Sequence, residues 1–350
     1  MLPLSNHTPF AAEGLWTRDE RGHEVWLLAI KASFQIDPAG KQTPLKVQVP
    51  VNMAPLFAAD PNELIDDDDF NIEKKHTDVL VEGHVYTPDG QPNIECLARL
   101  KVGDLDKIVK VTGDRVFVPG PISVRMSHPE PFVKMPISWR RAYGGTDTEA
   151  SKPDWDQRNP IGAGFAVNPQ RLVGKAAPNF EYRDAPYRDH RSGRPAGFGP
   201  IAHHWQPRAK YAGNYGEEWE KTRNPLLPRD FNRLYYQCAP EDQQTKTRLT
   251  GYEDVRLGAL SADGFMQFLL PRLTFDITTH FKNKPDIKHE EASIHTLRLR
   301  PDDRQFIITW VSALPVPYDE EKLSTSTIRI RRRTGVSAAV SRTGVWTGPE

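Results

Sequence analysis

Alternation of apolar and polar side chains is the dominant pattern along this chain. Residues 24–37, EVWLLAIKASFQID, are apolar at every even position from Trp26 to Ile36, and polar at the odd positions from Lys31 onward. A period of two is typical of a β-strand with one buried face. The same alternation recurs in three further stretches, at residues 78–86, 94–118 and 264–313. The pattern predicts a mainly β fold.

Short connections between these stretches favour antiparallel pairing. Residues 87–92, for example, are too few for the crossover of a dozen or more residues that parallel neighbours need. We therefore expect antiparallel sheets that pack either as a β-sandwich or as two small β lobes.

A segment of different composition separates the β-rich regions. Residues 153–228 contain ten prolines and eight glycines, which disfavour long helices and central strands. The segment also contains ten aromatic residues, in which disordered segments are poor. We expect an ordered, irregular covering over the β core, with a few short helices, for instance at residues 214–223 and after Pro240.

These patterns divide the chain into four regions. They are an N-terminal β region at residues 1–135, a covering rich in proline, glycine and aromatic residues at 136–250, a C-terminal β region at 251–317, and a polar tail at 318–350. We expect residues 1–317 to form one folded unit.

Charge and composition narrow the class of protein. The 46 basic and 46 acidic residues cancel, so no net positive charge attracts nucleic acid or an anionic membrane. The chain has neither a signal-peptide pattern nor an apolar run near the roughly 20 residues of a membrane helix. Its two cysteines, Cys96 and Cys238, suggest no disulfide framework. We expect a cytoplasmic protein with reduced cysteines that binds neither nucleic acid nor membranes.

Motifs for nucleotide, metal or catalytic sites are each incomplete in this chain. Residues 162–167 lack the third glycine of a dinucleotide loop, and residues 289–293 lack the second histidine of a zinc-protease helix. The run Asp66–Asp69 lacks the spacing of a calcium loop, and we interpret it as a solvated acidic loop. His203 and His204 would point to opposite faces of a strand. We expect no cofactor, no metal and no enzymatic activity.

The stretch WRRAYGGTDTEASKPDWDQRNPIGAGF, residues 139–165, contributes shape more than catalytic groups. Its glycines permit unusual backbone conformations, Pro160 fixes a turn, and its aromatic side chains can lock the loop. Strand alternation would place Arg141 on the apolar face, where a buried guanidinium needs a partner such as Asp147, Asp154 or Asp156. We interpret the stretch as a loop pinned in the core.

Fourteen residues of this stretch and the covering are our candidates for pinning the loop or binding a partner. They are Trp139, Arg140, Arg141, Tyr143, Gly144, Gly145, Asn159, Pro160, Gly162, Gly164, Phe165, Tyr187, Trp205 and Trp219. Of these, Tyr187 is expected to be an exposed aromatic available to a partner. Large aromatic and arginine side chains supply most of the binding energy in typical interfaces.

Several sequence words also carry a family resemblance. MPISWRRAYGG, NPIGAGF, RPAGFGPIAHHWQPR, LLPRDFN, CAPEDQQ and LTGYEDVRL follow NHTPF, KASFQID, TDVLVEGHVYTPDGQP and VTGDRVF in order from Asn6 to Trp310. In this order they resemble the domain-of-unknown-function family encoded beside PAAR-type spike and effector genes in bacterial type VI secretion clusters. The chain departs from that pattern at Tyr143, where phenylalanine is more usual, and at Ala163, where arginine is more usual.

The resemblance implies a cytoplasmic adaptor or chaperone. Such a protein would hold a toxic effector, one that contains or accompanies a PAAR domain, ready for loading onto the VgrG spike, with or without a co-chaperone. A different function class is a β-rich carbohydrate-binding module or glycoside hydrolase. In that alternative, Trp205 and Trp219 would be sugar platforms, and Asp154 and Asp156 would be the acid and base.

Overall fold

The structure, a computed structural model, describes residues 4–121, 123–316 and 322–331. The strands in these residues are β1 (Leu4–Asn6), β2 (Ala11–Arg18), β3 (Glu24–Ile36), β4 (Gln42–Pro44), β5 (Leu56–Phe57), β6 (Leu64–Asp66), β7 (Asp78–Val81), β8 (His84–Tyr86), β9 (Glu95–Val102), β10 (Leu105–Thr112), β11 (Phe117–Pro119), β12 (Val124–Met126), β13 (Lys134–Pro136), β14 (Tyr143–Gly144), β15 (Thr146–Asp147), β16 (Asp154–Trp155), β17 (Ala163–Gly164), β18 (Phe180–Tyr182), β19 (Asp254–Gly258), β20 (Phe265–Leu269), β21 (Phe275–Phe281), β22 (Lys284–Lys288), β23 (Ser293–Arg300), β24 (Gln305–Pro315) and β25 (Leu323–Ile330).

Helices in the described residues are few and short. The α-helix α1 spans Glu217–Thr222, and the 3-10 turns span Pro88–Gly90, Trp139–Arg141, Pro169–Leu172, Arg208–Tyr211, Arg233–Tyr236, Glu241–Gln243 and Pro301–Asp303. Helical structure thus occurs both within residues 214–223 and directly after Pro240, as the sequence predicts.

Three sheets form the body of the protein. The largest has six strands, in the order β2-β3-β24-β23-β7 with β4 paired to the end of β3. A five-stranded sheet has the order β18-β10-β9-β19-β20, and a four-stranded sheet has the order β1-β25-β21-β22. The prediction of a mainly β fold is confirmed.

One face of the six-stranded sheet packs against both smaller sheets. The Phe306 ring stacks between Phe34 of the same sheet, at 4.9 Å, and Phe268 of the five-stranded sheet, at 5.1 Å. Farther along β24, the Trp310 ring meets Phe275 of the four-stranded sheet at 5.3 Å. All three sheets therefore contribute side chains to one continuous apolar cluster.

Pairing is antiparallel in most of these sheets, as expected, with informative exceptions. β7 pairs parallel to β23, and β1 pairs parallel to β25. More than 200 residues separate the partners in each pair, so the length of a crossover sets no limit there. The strands on either side of residues 87–92 do not pair with each other, because β8 pairs with β13 while β9 pairs with β10 and β19.

The second face of the six-stranded sheet is covered by a chain segment anchored through buried charges. The interpretation of Asp66–Asp69 as a solvated loop is wrong, because Asp69 is 7 % exposed and accepts hydrogen bonds from Lys31 Nζ at 2.9 Å and Thr309 Oγ1 at 3.1 Å. Asp66 pairs with Arg298, and Asp67 pairs with Arg208. The cations that neutralise this run lie far away in the sequence, so local composition gave no sign of them.

A second buried ion pair continues this anchor. Lys74 Nζ lies 2.7 Å from Asp78 Oδ2, and both side chains are almost completely buried. Asp78 also accepts hydrogen bonds from the backbone N–H groups of Cys238 and Ala239, at 2.9 and 3.2 Å. The pair therefore joins β7 to the end of the covering. Cys238 and Cys96 are buried free thiols.

The expectation of a polar tail at 318–350 needs correction for Leu323–Ile330. These residues form β25, which lies between β1 and β21, and Ile328 is fully buried. Ser326 Oγ accepts a hydrogen bond from Trp26 Nε1 at 2.9 Å. The strand contains several serine and threonine residues, so its sequence resembles that of a polar segment. Residues 318–321 and 332–350 lie outside the described residues.

Candidate functional site: a rigid loop with one exposed tryptophan

Residues 139–165, called here the tryptophan loop, are closed by backbone pairing at their base. β14 runs parallel to β17, with Tyr143 opposite Ala163. The fully buried Asn159 ties the two halves together, since its Nδ2 donates to the carbonyl oxygens of Trp139 at 2.8 Å and Tyr143 at 2.9 Å. Pro160 contributes its carbonyl oxygen, which accepts a hydrogen bond from Thr146 Oγ1 at 2.9 Å. The loop is therefore held from both ends.

Close backbone approach explains the glycines of this loop. Gly144 has a φ of 143°, and a Cβ added there would lie 2.1 Å from the carbonyl oxygen of Asn159. A Cβ at Gly162 would lie 2.4 Å from Asn159 Nδ2. A side chain at either position would push the two halves of the loop apart. The predicted role of these glycines in shaping the loop agrees with this geometry.

The inner aromatic side chains of the loop are structural. Trp139 is 7 % exposed, donates its indole N–H to the carbonyl oxygen of Pro200 at 2.8 Å, and packs edge-on against Trp205 at 6.1 Å. Tyr143 is 1 % exposed and donates its hydroxyl to the carbonyl oxygen of His190 at 3.1 Å. Burial raises the pKa of Tyr143 to about 12. The contacts of these side chains fix the loop.

Arg141 does not occupy the predicted environment, whereas the adjacent Arg140 is exposed, as strand alternation would place it. Trp139–Arg141 form a 3-10 turn rather than a strand, so the alternation that would bury Arg141 does not apply. Arg141 NH1 lies at the protein surface, 2.7 Å from Asp114 Oδ1, and pairs with none of the three predicted aspartates. Arg140 is exposed and pairs with Asp60 and Glu63 at 2.8 and 2.9 Å.

Two other predicted aromatics are also engaged within the protein. Tyr187 is partly buried, donates its hydroxyl to the carbonyl oxygen of Gly164 at 3.0 Å, and lies against Tyr143 at 5.8 Å. The expectation that Tyr187 is exposed is wrong, because its ring fills the space over that glycine. Trp219 lies in α1, apart from the loop's own contacts, and donates to the carbonyl oxygen of Leu226 at 2.7 Å. The remaining loop candidates, Gly145 and Phe165, take part in its backbone hydrogen bonds.

One tryptophan of the loop faces solvent. Trp155 is 48 % exposed, although its backbone is held in the β15–β16 pair opposite Thr146. The adjacent Asp147 is buried and accepts hydrogen bonds from Val167 N–H at 2.9 Å and Arg171 NH1 at 3.0 Å. Burial alone would raise the pKa of Asp147, but these hydrogen bonds lower it. The hairpin thus presents a large aromatic side chain on a fixed backbone.

Trp155 borders a depression of about 540 Å³, called here the Trp155 cleft. The cleft is lined by Asn62, Thr146, Pro153, Trp155, Gln157, Pro160, His204, Trp205 and Gln206. None of these side chains carries a formal charge at neutral pH, since burial lowers the pKa of His204. The cleft combines aromatic and proline surface with amide groups.

A second depression of about 450 Å³, called here the Arg194 pocket, adjoins the first. Its lining includes Trp139, Arg194, Gln206, Lys210 and Asp242. The Arg194 guanidinium lies over the Tyr182 ring at 3.9 Å, and Lys210 Nζ lies over the Tyr211 ring at 4.7 Å.

Two acids, Glu241 and Asp242, line this pocket, and Asp242 is already neutralised. Asp242 contacts Lys107 Nζ at 2.9 Å and accepts a hydrogen bond from the Tyr182 hydroxyl at 2.7 Å. Neither Arg194 nor Lys210 has an acidic partner within the described part of the chain. The pocket therefore presents two cations whose charge is not balanced by a carboxylate in direct contact.

The positions of the side chains can be compared with those that a metal site or the suggested sugar-binding residues would need. Among residues 4–121, 123–316 and 322–331, no group of three or more histidine, cysteine, aspartate or glutamate side chains could hold a metal ion. Trp205 is 1 % exposed and cannot be a sugar platform, and Asp156 is buried in a pair with Arg158. No helix in the described residues is long and apolar enough to cross a membrane.

The predicted site includes only some of the residues that line the two depressions, namely Pro160 and Trp205 in the first and Trp139 in the second. Trp155, Gln157, Arg194 and Gln206 were absent from the predicted site, whereas most of the predicted residues hold the loop together. A signal did exist at Trp155, because Pro153 and Asp154 place it beside the polar turn 148–152, where a side chain tends to face solvent.

Comparison with known proteins identifies a family. The model of a family described as an uncharacterized protein conserved in bacteria, DUF2169, matches residues 21–311. No curated protein and no solved structure matches the chain. The family description names no activity, partner or secretion system, and it leaves the function open.

Proposed function

The chain belongs to the bacterial family DUF2169, and we propose that it is an adaptor or chaperone for a type VI secretion effector. In this proposal the protein works in the cytoplasm and binds a toxic effector that contains or accompanies a PAAR domain. It keeps the effector stable and aids its loading onto the VgrG spike, alone or with a co-chaperone. It performs no catalysis.

One observation carries the binding part of the proposal, which is the exposed Trp155 on a backbone fixed from both sides. Tryptophan is enriched among the side chains that dominate interface energies. A side chain presented on a rigid backbone also loses little conformational entropy when a partner binds. The order of the sequence words between Asn6 and Trp310 supplies the type VI secretion part of the proposal.

Stabilisation of the effector would follow from mass action. A partner that binds only the folded form stabilises it by RT ln(1 + [L]/Kd), which is about 2.7 kcal/mol at a free concentration of one hundred times Kd. A shift of that size is enough to change the cellular abundance of a marginally stable protein several-fold. No chemical step on the effector is required.

Co-expression with the effector encoded beside this gene tests the proposal. Effector abundance and its affinity capture are measured with the wild-type chain, with Trp155→Ala, and with Ile287→Ala as a control. Ile287 is 41 % exposed on β22, in a different sheet. We expect capture and raised abundance with wild type and the control, and reduced capture with Trp155→Ala. Unchanged effector abundance and no capture by wild type would refute the adaptor function.

A further inference from the structure

We propose that the partner docks as an extended segment along the Trp155 cleft and the Arg194 pocket. An uncharged apolar residue, proline or aliphatic, lies on Trp155, and an acidic side chain reaches Arg194 and Lys210. This inference rests on the proposed function, since it specifies which part of a protein partner the surface accepts.

The two depressions share a wall, and we infer that together they form one groove. Gln206 lines both of them. Trp205 lines the first and Trp139 lines the second, and these two rings pack edge-on at 6.1 Å. Gln206 N–H also donates to the carbonyl oxygen of Gln157 at 2.8 Å, which ties the shared wall to the loop that bears Trp155. A segment lying on Trp155 can therefore continue into the Arg194 pocket without leaving the protein surface.

Free amide groups favour an extended backbone as the occupant. The side-chain amides of Gln157 and Gln206 make no hydrogen bond within the described residues, and both line the Trp155 cleft. An extended segment presents unpaired N–H and C=O groups that such amides can bond, whereas a helix has already paired most of its own. The absence of formal charge in this cleft favours an uncharged part of the partner.

The walls of the Trp155 cleft favour a proline or aliphatic side chain. Pro153 and Pro160 line the cleft together with the exposed Trp155 ring. Grooves lined by aromatic side chains accept proline-containing extended segments, because such segments are already ordered before they bind. The rigid hairpin below Trp155 adds the same advantage on the side of the protein.

Charge complementarity gives the segment a direction. Arg194 and Lys210 stack on tyrosine rings and lack acidic partners within the described chain. Of the two acids in the pocket lining, Asp242 already contacts Lys107, and Glu241 forms no ion pair within the described residues. A carboxylate of the partner would meet the two free cations at this end of the groove and no charge at the Trp155 end.

Site-specific photo-crosslinking tests the placement. Benzoylphenylalanine replaces Trp155, Arg194 or, as a control, Ile287 in the full chain co-expressed with the effector of the previous section. We expect crosslinks from positions 155 and 194 to one short effector segment that contains proline or aliphatic residues followed by an acid. Capture of the effector with crosslinks only from position 287, or to a helix of the effector, would overturn the inference and leave the adaptor function standing.

Charge reversal tests the acidic end. Arg194→Glu combined with Lys210→Glu should weaken effector binding about tenfold or more. Arg125→Glu, a single charge reversal at an exposed arginine on β12, should have little effect beside Arg194→Glu alone. Replacing the crosslinked acid of the effector with lysine should restore binding to the double variant. Equal binding by the double variant and wild type would contradict the inference.

A sugar ligand is the competing occupant of the same groove. Maltoheptaose and chitohexaose are titrated into the full chain while tryptophan fluorescence is recorded, with Trp155→Ala as the control. We expect no saturable quenching up to millimolar sugar. Saturable quenching that disappears in Trp155→Ala would overturn the inference of a protein segment, and the absence of effector capture would separately refute the adaptor function.

Discussion

Trp139 and Trp155 stand sixteen positions apart on one loop and have opposite surroundings. Trp139 is 7 % exposed and bonded to the carbonyl oxygen of Pro200, whereas Trp155 is 48 % exposed and borders an open cleft. The first closes the loop onto the β core. The backbone of the second is held by pairing with Thr146, but its side chain contributes little to closing the loop.

This difference separates stability from binding within a single loop. Side chains such as Trp139, Tyr143 and Asn159 form the hydrogen bonds and packing that fix the backbone. These contacts, called here the inner layer, hold the backbone of Trp155 in position before a partner binds. Substitutions in the inner layer should therefore lower stability, and substitutions on the hairpin should lower binding alone.

The largest effect on stability is expected for Trp139→Ala. Loss of a buried tryptophan leaves a cavity and typically costs about 3–5 kcal/mol, and here the carbonyl oxygen of Pro200 also loses its donor. Chemical denaturation measures the free energy of unfolding. Trp139→Phe keeps most of the ring volume and should recover part of the loss. A change below about 1 kcal/mol for Trp139→Ala would mean that the inner layer does not hold the loop.

Acid should weaken the interior through His289. This side chain is 7 % exposed, between Thr279 Oγ1 at 2.7 Å and Ser312 Oγ at 2.8 Å, and burial lowers its pKa to about 4. The unfolded chain, with a pKa near 6.5, binds the proton first as pH falls. The contribution of His289 to the free energy of unfolding is therefore fully present above pH 6.5. It is lost between pH 6.5 and 4 and amounts to about 3 kcal/mol at most.

Comparison of wild type with one variant isolates that contribution. Asp68 acts in the opposite direction, because burial raises its pKa to about 6 and so its protonation favours the folded state between pH 6 and 4. The difference between wild type and His289→Gln, measured by denaturation at pH 7 and pH 4.5, cancels the Asp68 contribution. The wild-type chain should lose more stability than the variant, and equal losses would contradict the assignment.

A smaller loss is expected for Gly144→Ala, at about 2 kcal/mol. The new Cβ would meet the Asn159 carbonyl oxygen at 2.1 Å, and the φ of 143° is unfavourable for alanine. Gly174→Ala is the matched control, because Gly174 also has a positive φ, of 82°, but nothing lies within 4 Å of its added Cβ. In thermal denaturation, Gly144→Ala should lower the melting temperature more than Gly174→Ala. The reverse order would show that Gly144 is not needed for closure of the loop.

The smallest change in stability is expected for Trp155→Ala. A surface substitution away from buried contacts usually changes stability by no more than about 0.5 kcal/mol. Denaturation of Trp155→Ala and Trp139→Ala compares the free energy of unfolding for the same substitution at two positions of one loop. Similar losses of unfolding free energy in both variants would show that Trp155 holds the loop together as Trp139 does.

Periodicity made the sheets predictable and made the surface hard to predict. The alternation in residues 24–37 correctly predicted strand β3 to Ile36, but the expected single buried face is wrong, because Lys31 and Ser33 on the polar face are buried as well. The same rule failed at Arg141, because three residues of 3-10 turn shift every side chain that follows. Strand β25 was not predicted, because its buried positions include Ser326, whose hydrogen-bond partner Trp26 lies 300 residues away.

The site was predictable in location and not in detail. Glycine, proline and aromatic residues correctly marked 139–165 as a specially shaped loop. Which tryptophan would face solvent depends on Pro200, Trp205 and Asn159, whose contacts arise only after folding. The acidic run at 66–69 illustrates the same limit, because its cations come from β3, β23 and the covering.

The equilibrium dissociation constant of the effector complex for wild type and Trp155→Ala, measured beside their melting temperatures, tests the central claim most directly. We expect Trp155→Ala to weaken binding by about tenfold or more with a nearly unchanged melting temperature. An unchanged dissociation constant, with the variant equally stable, would contradict the claim that the rigid loop exists to present Trp155 to a partner.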